Sequence, residues 1–297
     1  MTNSASTFQN LIAPLTEAEF LRLLNERTLQ FVRGTDRDRY SNLLGWDALR
    51  GMIERGEYPR GLADFRIAKE SVTVPAQHWL TRNKADNTNK VDIAKLEEFL
   101  GNGFSLIITP IDRHVPALES LCSYIRSQIS EQIKVGVIVT ASGSGGAFNI
   151  HFDPEDLLIL QVEGSKRWKI FGPPVSNPVA GMPKPVPPAE DKPIFDEVLQ
   201  PGDFLFLPAG TWHHCENGAG RSLHLGIFFV PPTSWHAVKS LTSQLLSEDS
   251  FRTPLTRLAG EAEFDALEAE VKRNLIARIN SLDLKEFLGQ WNRKANA

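Results

Sequence analysis

The stretch from residue 135 to 230 restricts the fold most. It holds five short apolar runs, at 135–141, 157–163, 166–171, 203–207 and 222–230, separated by turns rich in glycine and proline. Runs this short, bounded by turn residues, read as strands. Several of them in close succession must cover one another's apolar faces, which predicts a β-sandwich or barrel. Ahead of them the pattern is mixed. Helices are expected from Thr16, where Thr16-x-x-Glu19 has the form of a capping box before Phe20, Leu21, Leu23 and Leu24, from Trp46 to Gly56, and over 92–100 and 116–129. Short strands are expected at 28–32, 64–68 and 104–109. Past residue 232 the strands stop, and 241–246, 261–282 and 284–291 carry helical periodicity. The expected class is α+β. Residues 1–134 form a mixed part that lends strands to the barrel, 135–232 form its core, and 233–297 form a helical appendage.

Composition narrows the function classes. The chain is 41% hydrophobic and 23% charged, enough to bury a core, and its net charge of −4 argues against a chain whose main work is neutralising nucleic-acid phosphates. Its two cysteines, Cys122 and Cys215, fit neither a disulfide framework nor a zinc ribbon. No stretch approaches the roughly 18 apolar residues of a membrane span. A cytoplasmic protein with no membrane partner is expected. Residues 172–193 carry eight of the 19 prolines and read as an extended loop, able to lie over a barrel mouth as a lid.

Chemistry enters with His151-Phe152-Asp153, whose first and third side chains share a side if the backbone is extended. That spacing alone is unspecific. Seven histidines and 36 acidic residues in 297 give about one such pair by chance, and His214-Cys215-Glu216 is another. A third candidate ligand, His213, follows the apolar strand at 203–207 in the segment Pro208-Ala209-Gly210-Thr211-Trp212-His213. Two histidines and a carboxylate on one face of a metal leave its other positions open, the arrangement of non-haem iron(II) oxygenases. The same three residues could instead cap loops and hydrogen-bond within a core. On the strand 166–171, Lys166, Trp168 and Ile170 share the mostly apolar face and Arg167, Lys169 and Phe171 the other. A lysine on the inward face is suited to an anion, such as the remote end of a dicarboxylate, whereas its bland role is to snorkel from the strand start.

Together these motifs resemble the JmjC-type cupin oxygenases, in particular the ribosomal oxygenases and their bacterial relatives. The resemblance runs through His151-Phe152-Asp153, Leu160-Gln161-Val162-Glu163-Gly164-Ser165-Lys166-Arg167-Trp168, Leu199-Gln200-Pro201-Gly202-Asp203, Pro208 to His213, and Ser222-Leu223-His224-Leu225. It implies a double-stranded β-helix, with Fe(II) held by His151, Asp153 and His213 and with 2-oxoglutarate and O2 as co-substrates. Lys166, fifteen positions after the first histidine, would take the distal carboxylate of 2-oxoglutarate, and His214 would not be a ligand. Family members often carry Asn and Tyr on the strand before the iron motif. Here that strand reads Val137-Ile138-Val139-Thr140, so Thr140 is the hydroxyl available. Ser222 and His224 would face the cavity as further co-substrate contacts, while Asn149 reads as a turn residue. The implied activity is hydroxylation of an amino-acid side chain in a protein, a peptide or a free amino acid, with a homodimer formed through the C-terminal helices. The alternative is a non-catalytic cupin that binds a metal or ligand as a sensor or scaffold.

Overall fold

The computed structural model describes residues 4–58, 64–82, 89–129, 131–141, 146–189, 192–257 and 259–295. The chain divides into two compact units, Met1–Val230 and Pro231–Ala297. In the first, five helices precede the barrel: α1 (Ser4–Ile12), α2 (Glu17–Glu26), α3 (Trp46–Arg55), α4 (Ile93–Gly101) and α5 (Pro116–Gln128). Between them run β1 (Gln30–Val32), β2 (Phe65–Lys69), β3 (Val72–Thr73), β4 (Leu80–Arg82), β5 (Asn89–Val91) and β6 (Ser105–Ile108). The barrel strands follow as β7 (Gln132–Thr140), β8 (Asp156–Glu163), β9 (Lys166–Phe171), β10 (Pro193–Leu199), β11 (Phe204–Leu207), β12 (Trp212–Asn217) and β13 (Ser222–Val230).

Eight strands form the larger sheet in the order β1-β11-β8-β13-β7-β6-β2-β3, and a smaller sheet runs β10-β9-β12. Every pairing between them is antiparallel. Alternation along the strands splits the larger sheet into two faces. Leu158, Leu160, Val162, Phe204, Phe206, Leu223, Leu225, Ile227 and Phe229 belong to the core shared with the helices. On the other face Leu157, Ile159, Leu205 and Leu207 pack with Trp168, Ile170 and Leu199 of the smaller sheet. This is an α+β fold with a double-stranded β-helix core, and strands from both sides of residue 134 share its larger sheet.

The helices form where local chemistry favours them. Thr16 and Glu19 make both halves of the capping box at the start of α2. The helix then buries Phe20, whose ring lies 5.5 Å from that of Phe206 and 5.7 Å from that of Phe229. Burying such a ring contributes about 1.5–3 kcal/mol, so α2 is pinned to the outer sheet face by packing as well as by its cap. Besides the short strands β3, β4 and β5, three longer elements lie outside the sequence expectation. Helix α1 lies in the polar start, and its Phe8, Leu11 and Ile12 are buried. Strand β10, where Asp196 and Glu197 interrupt the apolar residues, and strand β12, with His213, His214 and Glu216, lack the apolar alternation of a strand. Both pair with β9, and that pairing overrides their weak patterning. The described part of the proline-rich stretch, residues 172–189, contains no helix or strand.

The second unit holds α6 (Ser234–Gln244), α7 (Glu261–Asn280) and α8 (Leu284–Ala295). Thr233 caps α6, and α7 buries none of its residues despite its length of 20. Among the described residues no helix is long and apolar enough to cross a membrane.

Candidate metal centre

The three residues singled out by the sequence converge. One donor atom each from His151, Asp153 and His213 lies within 4.8 Å of the others, and no other such group occurs among the described residues. His151 precedes β8 and stands outside any regular strand. It forms an isolated antiparallel bridge with His213 at the start of β12, its N–H donating to the His213 carbonyl at 3.1 Å and its carbonyl accepting from His213 N–H at 2.8 Å. That bridge sets the two rings 4.3 Å apart, and Asp153 Oδ2 lies 3.8 Å from His213 Nε2.

The ring orientations are fixed by main-chain carbonyls. His151 Nδ1 lies 2.8 Å from the Asn149 carbonyl oxygen and His213 Nδ1 lies 2.9 Å from that of Thr211. A carbonyl can only accept, so each Nδ1 carries the proton and each Nε2 is left with its lone pair free for a metal. His213 is also held neutral. Burial, assisted by the neighbouring His151, pushes its pKa down to about 3. Two imidazoles and a carboxylate suit a divalent first-row metal and leave room for other ligands.

The turn between β11 and β12 is latched to the segment carrying Asp153. Gly210 N–H donates to the Asp153 carbonyl at 2.9 Å, and Ala209 N–H donates to the buried Asp156 carboxylate at 2.7 Å. Gly210 has φ +84°, and its carbonyl accepts from Val175 N–H at 2.9 Å. A Cβ added there would lie 2.1 Å from the Val175 carbonyl oxygen. Gly210→Ala is therefore expected to lose on the order of 1–3 kcal/mol of stability and to bind divalent metal more weakly, as chemical denaturation and Mn(II) titration would measure.

Deeper in the barrel, Lys166 is almost fully buried. Its ammonium donates to Thr140 Oγ1 at 3.3 Å, and Thr140 Oγ1 lies 2.6 Å from Ser105 Oγ. Burial holds the Lys166 pKa below the usual lysine range. Strand register places these groups in two parallel rows across the inner face of the larger sheet. One row is Ala68, Ser105, Thr140 and Ser222; the next is Arg66, Ile107, Ile138, His224 and Gln161. Ser222 Oγ accepts from Gln161 Nε2 at 3.0 Å. His224 is buried and neutral, its pKa lowered by burial and by Lys166, and its ring meets that of Trp168 at 5.4 Å. The Trp168 ring is in turn 5.7 Å from His213.

Several buried polar atoms here have no partner among the described residues: His224 Nδ1, Gln161 Oε1, Trp168 Nε1 and Asn217 Oδ1. Such atoms are costly unless something satisfies them. An ammonium with three donors and a row of hydroxyls beside them make a cradle for an anion. His214 points elsewhere, with Nδ1 3.1 Å from the Phe148 carbonyl oxygen and Nε2 3.9 Å from Glu216. Asn149 contributes through its main chain, its N–H donating to Ser71 Oγ. Ser105 and Gln161 escaped the sequence reading. Gln161 is a polar residue inside an apolar run and could have been flagged, whereas only the pairing of β6 with β7 brings Ser105 to Thr140.

The sequence model of the JmjC domain matches residues 113–237. A bifunctional lysine-specific demethylase and histidyl-hydroxylase NO66 from Drosophila mojavensis is 32% identical over 219 residues, covering 72% of this chain and 24% of that protein. The uncharacterised protein YxbC of Bacillus subtilis is 27% identical over 83% of this chain and 78% of its own length. Among solved structures, YcfD, a ribosomal oxygenase from Escherichia coli in complex with cobalt and 2-oxoglutarate, superposes with a TM-score of 0.54 at 16% identity, covering 94% of this chain and 70% of that one. The chain spans 17%, 24% and 43% of the lengths of the first three curated relatives.

Proposed function

We propose, from the premise that residues 113–237 are a JmjC domain, that this protein is an Fe(II)- and 2-oxoglutarate-dependent oxygenase that hydroxylates an amino-acid side chain. One observation carries the reading: a buried lysine with no carboxylate partner among the described residues shares the barrel interior with a His/Asp/His cluster. His151, Asp153 and His213 hold the metal. Lys166 and Thr140 take the distal carboxylate of 2-oxoglutarate, with Ser222 and His224 as further polar contacts. When bound, Fe(II), 2-oxoglutarate and O2 supply the oxidation that yields succinate, CO2 and the hydroxylated product. The protein orients these groups and excludes water through the apolar walls formed by Trp168, Ile170, Leu157 and Ile159. The substrate is a protein side chain, in keeping with relatives named histidyl-hydroxylase and ribosomal oxygenase; a peptide or a free amino acid would fit the same chemistry. The test is Fe(II)-dependent conversion of 2-oxoglutarate to succinate by the wild-type protein, with no conversion under anaerobic conditions. Succinate release indifferent to iron or oxygen would refute the reading.

We further propose a homodimer through the C-terminal helices. Helix α7 exposes Phe264, Ile276 and Ile279, and Leu282, Leu284 and Leu288 follow, also exposed. Apolar side chains so concentrated on a helical segment support an association surface there. Light scattering is expected to give twice the monomer mass for the wild type and the monomer mass for Ile276→Glu/Ile279→Glu.

A further inference from the structure

The inner-face row that contains His224 ends at Arg66 on β2. Its guanidinium Cζ lies 5.8 Å from the centroid of the Phe148 ring, and that ring lies 5.2 Å from the ring of His151. Phe148 is held in place by its neighbours, since Ala147 packs with Ala68 and Ile107, and the Ala147 carbonyl accepts from Ser71 N–H. Arg66 is thus linked to the His151 ring through Phe148. Its Nε is buried without a hydrogen-bond partner, and no described carboxylate pairs with its guanidinium. By contrast Arg33, Arg50, Arg55 and Arg167, at the surface, each meet an acidic side chain.

A buried N–H without an acceptor is unfavourable. A guanidinium stacked on an aromatic ring, with its fork open, is matched to a carboxylate, which it can bind through two parallel hydrogen bonds. That carboxylate is not the one assigned to Lys166. Strands β2 and β7 are two positions apart in the sheet, roughly 10 Å, and Lys166 meets the sheet at Thr140 in the neighbouring row. Arg66 also repels a cationic side chain approaching on the His151 side.

We propose that Arg66, backed by Phe148, anchors a carboxylate of the substrate beside the metal centre, so that acid-bearing substrates are selected and cationic ones rejected. The proposal rests on the oxygenase reading. To test it, protein loaded with Mn(II) and 2-oxoglutarate is mixed with equal amounts of four hexapeptide pools, and retained peptides are counted by mass spectrometry. Three pools are capped at both ends and carry a fixed Asp, Asn or Lys, and the fourth carries the fixed Asn with a free C-terminal carboxylate. Wild type should enrich the Asp pool, the free-carboxylate pool or both at least about tenfold over the capped Asn pool, and deplete the Lys pool. Which pool is enriched tells an internal acid from a terminal one. Arg66→Gln should lose the enrichment and Arg66→Lys should keep part of it. Equal retention of the pools by wild type, or undiminished enrichment by Arg66→Gln, overturns the proposal. Calorimetry of 2-oxoglutarate binding to Mn(II)-loaded wild type tests the oxygenase reading separately. If no binding is seen, the pools repeated with Mn(II) alone still decide the role of Arg66.

Discussion

Asp153→Ala is expected to reduce Fe(II)-dependent succinate release by more than about 100-fold, since loss of a contact merely supporting a metal ligand already costs 10–100-fold in affinity or activity. The substitution removes the sole carboxylate of the cluster and leaves two imidazoles. The fold should survive it. The Asp153 side chain is 30% exposed, and the latch to Gly210 uses its main-chain carbonyl. Circular dichroism melting should therefore be close to wild type while Mn(II) affinity falls in step with activity. Asp153→Asn separates charge from shape and should bind metal almost as poorly. Unchanged succinate production by Asp153→Ala would sink the assignment of the site.

Lys166→Met is expected to act in opposite directions on binding and on stability. Removing one partner of a buried charged hydrogen-bonded pair costs at least ~2 kcal/mol, so affinity for 2-oxoglutarate should fall by about 30-fold or more. Without co-substrate the same residue is a liability, because its ammonium is buried against a single hydroxyl, at 3.3 Å, among the described residues. Replacing such a charge with an apolar side chain of similar length should raise the stability of the unliganded protein by about 1–4 kcal/mol. Thr140 keeps its contact with Ser105 in the variant. The pH dependence has a definite sign. Burial lowers the folded-state pKa of Lys166, so between that value and the unfolded value near ~10.4 the unfolded chain binds more protons. Folded wild type therefore gains stability from this group as pH rises through that window. The advantage of Lys166→Met should be largest at neutral pH and shrink toward pH ~10, as urea denaturation at the two pH values would read. A variant less stable than wild type at pH 7, or one with unaltered 2-oxoglutarate affinity, would contradict the role given to Lys166.

How much could be read beforehand follows from where the information lies. Strands β8, β9, β11 and β13 are buried on both faces or alternate strongly, so their apolar runs announce them. Strands β10 and β12 are held by pairing with β9, and pairing partners are not written in a local pattern. The His/Asp/His cluster was legible because its residues sit in short motifs with fixed offsets. Lys166 was legible through its alternation with Trp168 and Ile170, which lie with it inside the barrel. Ser105 and Arg66 were not. They come from β6 and β2, and only the order β7-β6-β2 in the sheet lays them beside the residues of the later strands.

The hydrogen bonds from Nδ1 of His151 and His213 to the carbonyls of Asn149 and Thr211 have a consequence for how this centre tolerates change. In many metal sites the imidazole is oriented by a carboxylate, and a single substitution removes that control. Here the acceptors belong to the peptide backbone, which every amino acid supplies. The side chains at 149 and 211 can vary while the tautomer of each histidine stays fixed, provided the path of the chain is kept. Ligand basicity is thereby encoded in loop geometry, and drift at these two positions leaves it intact.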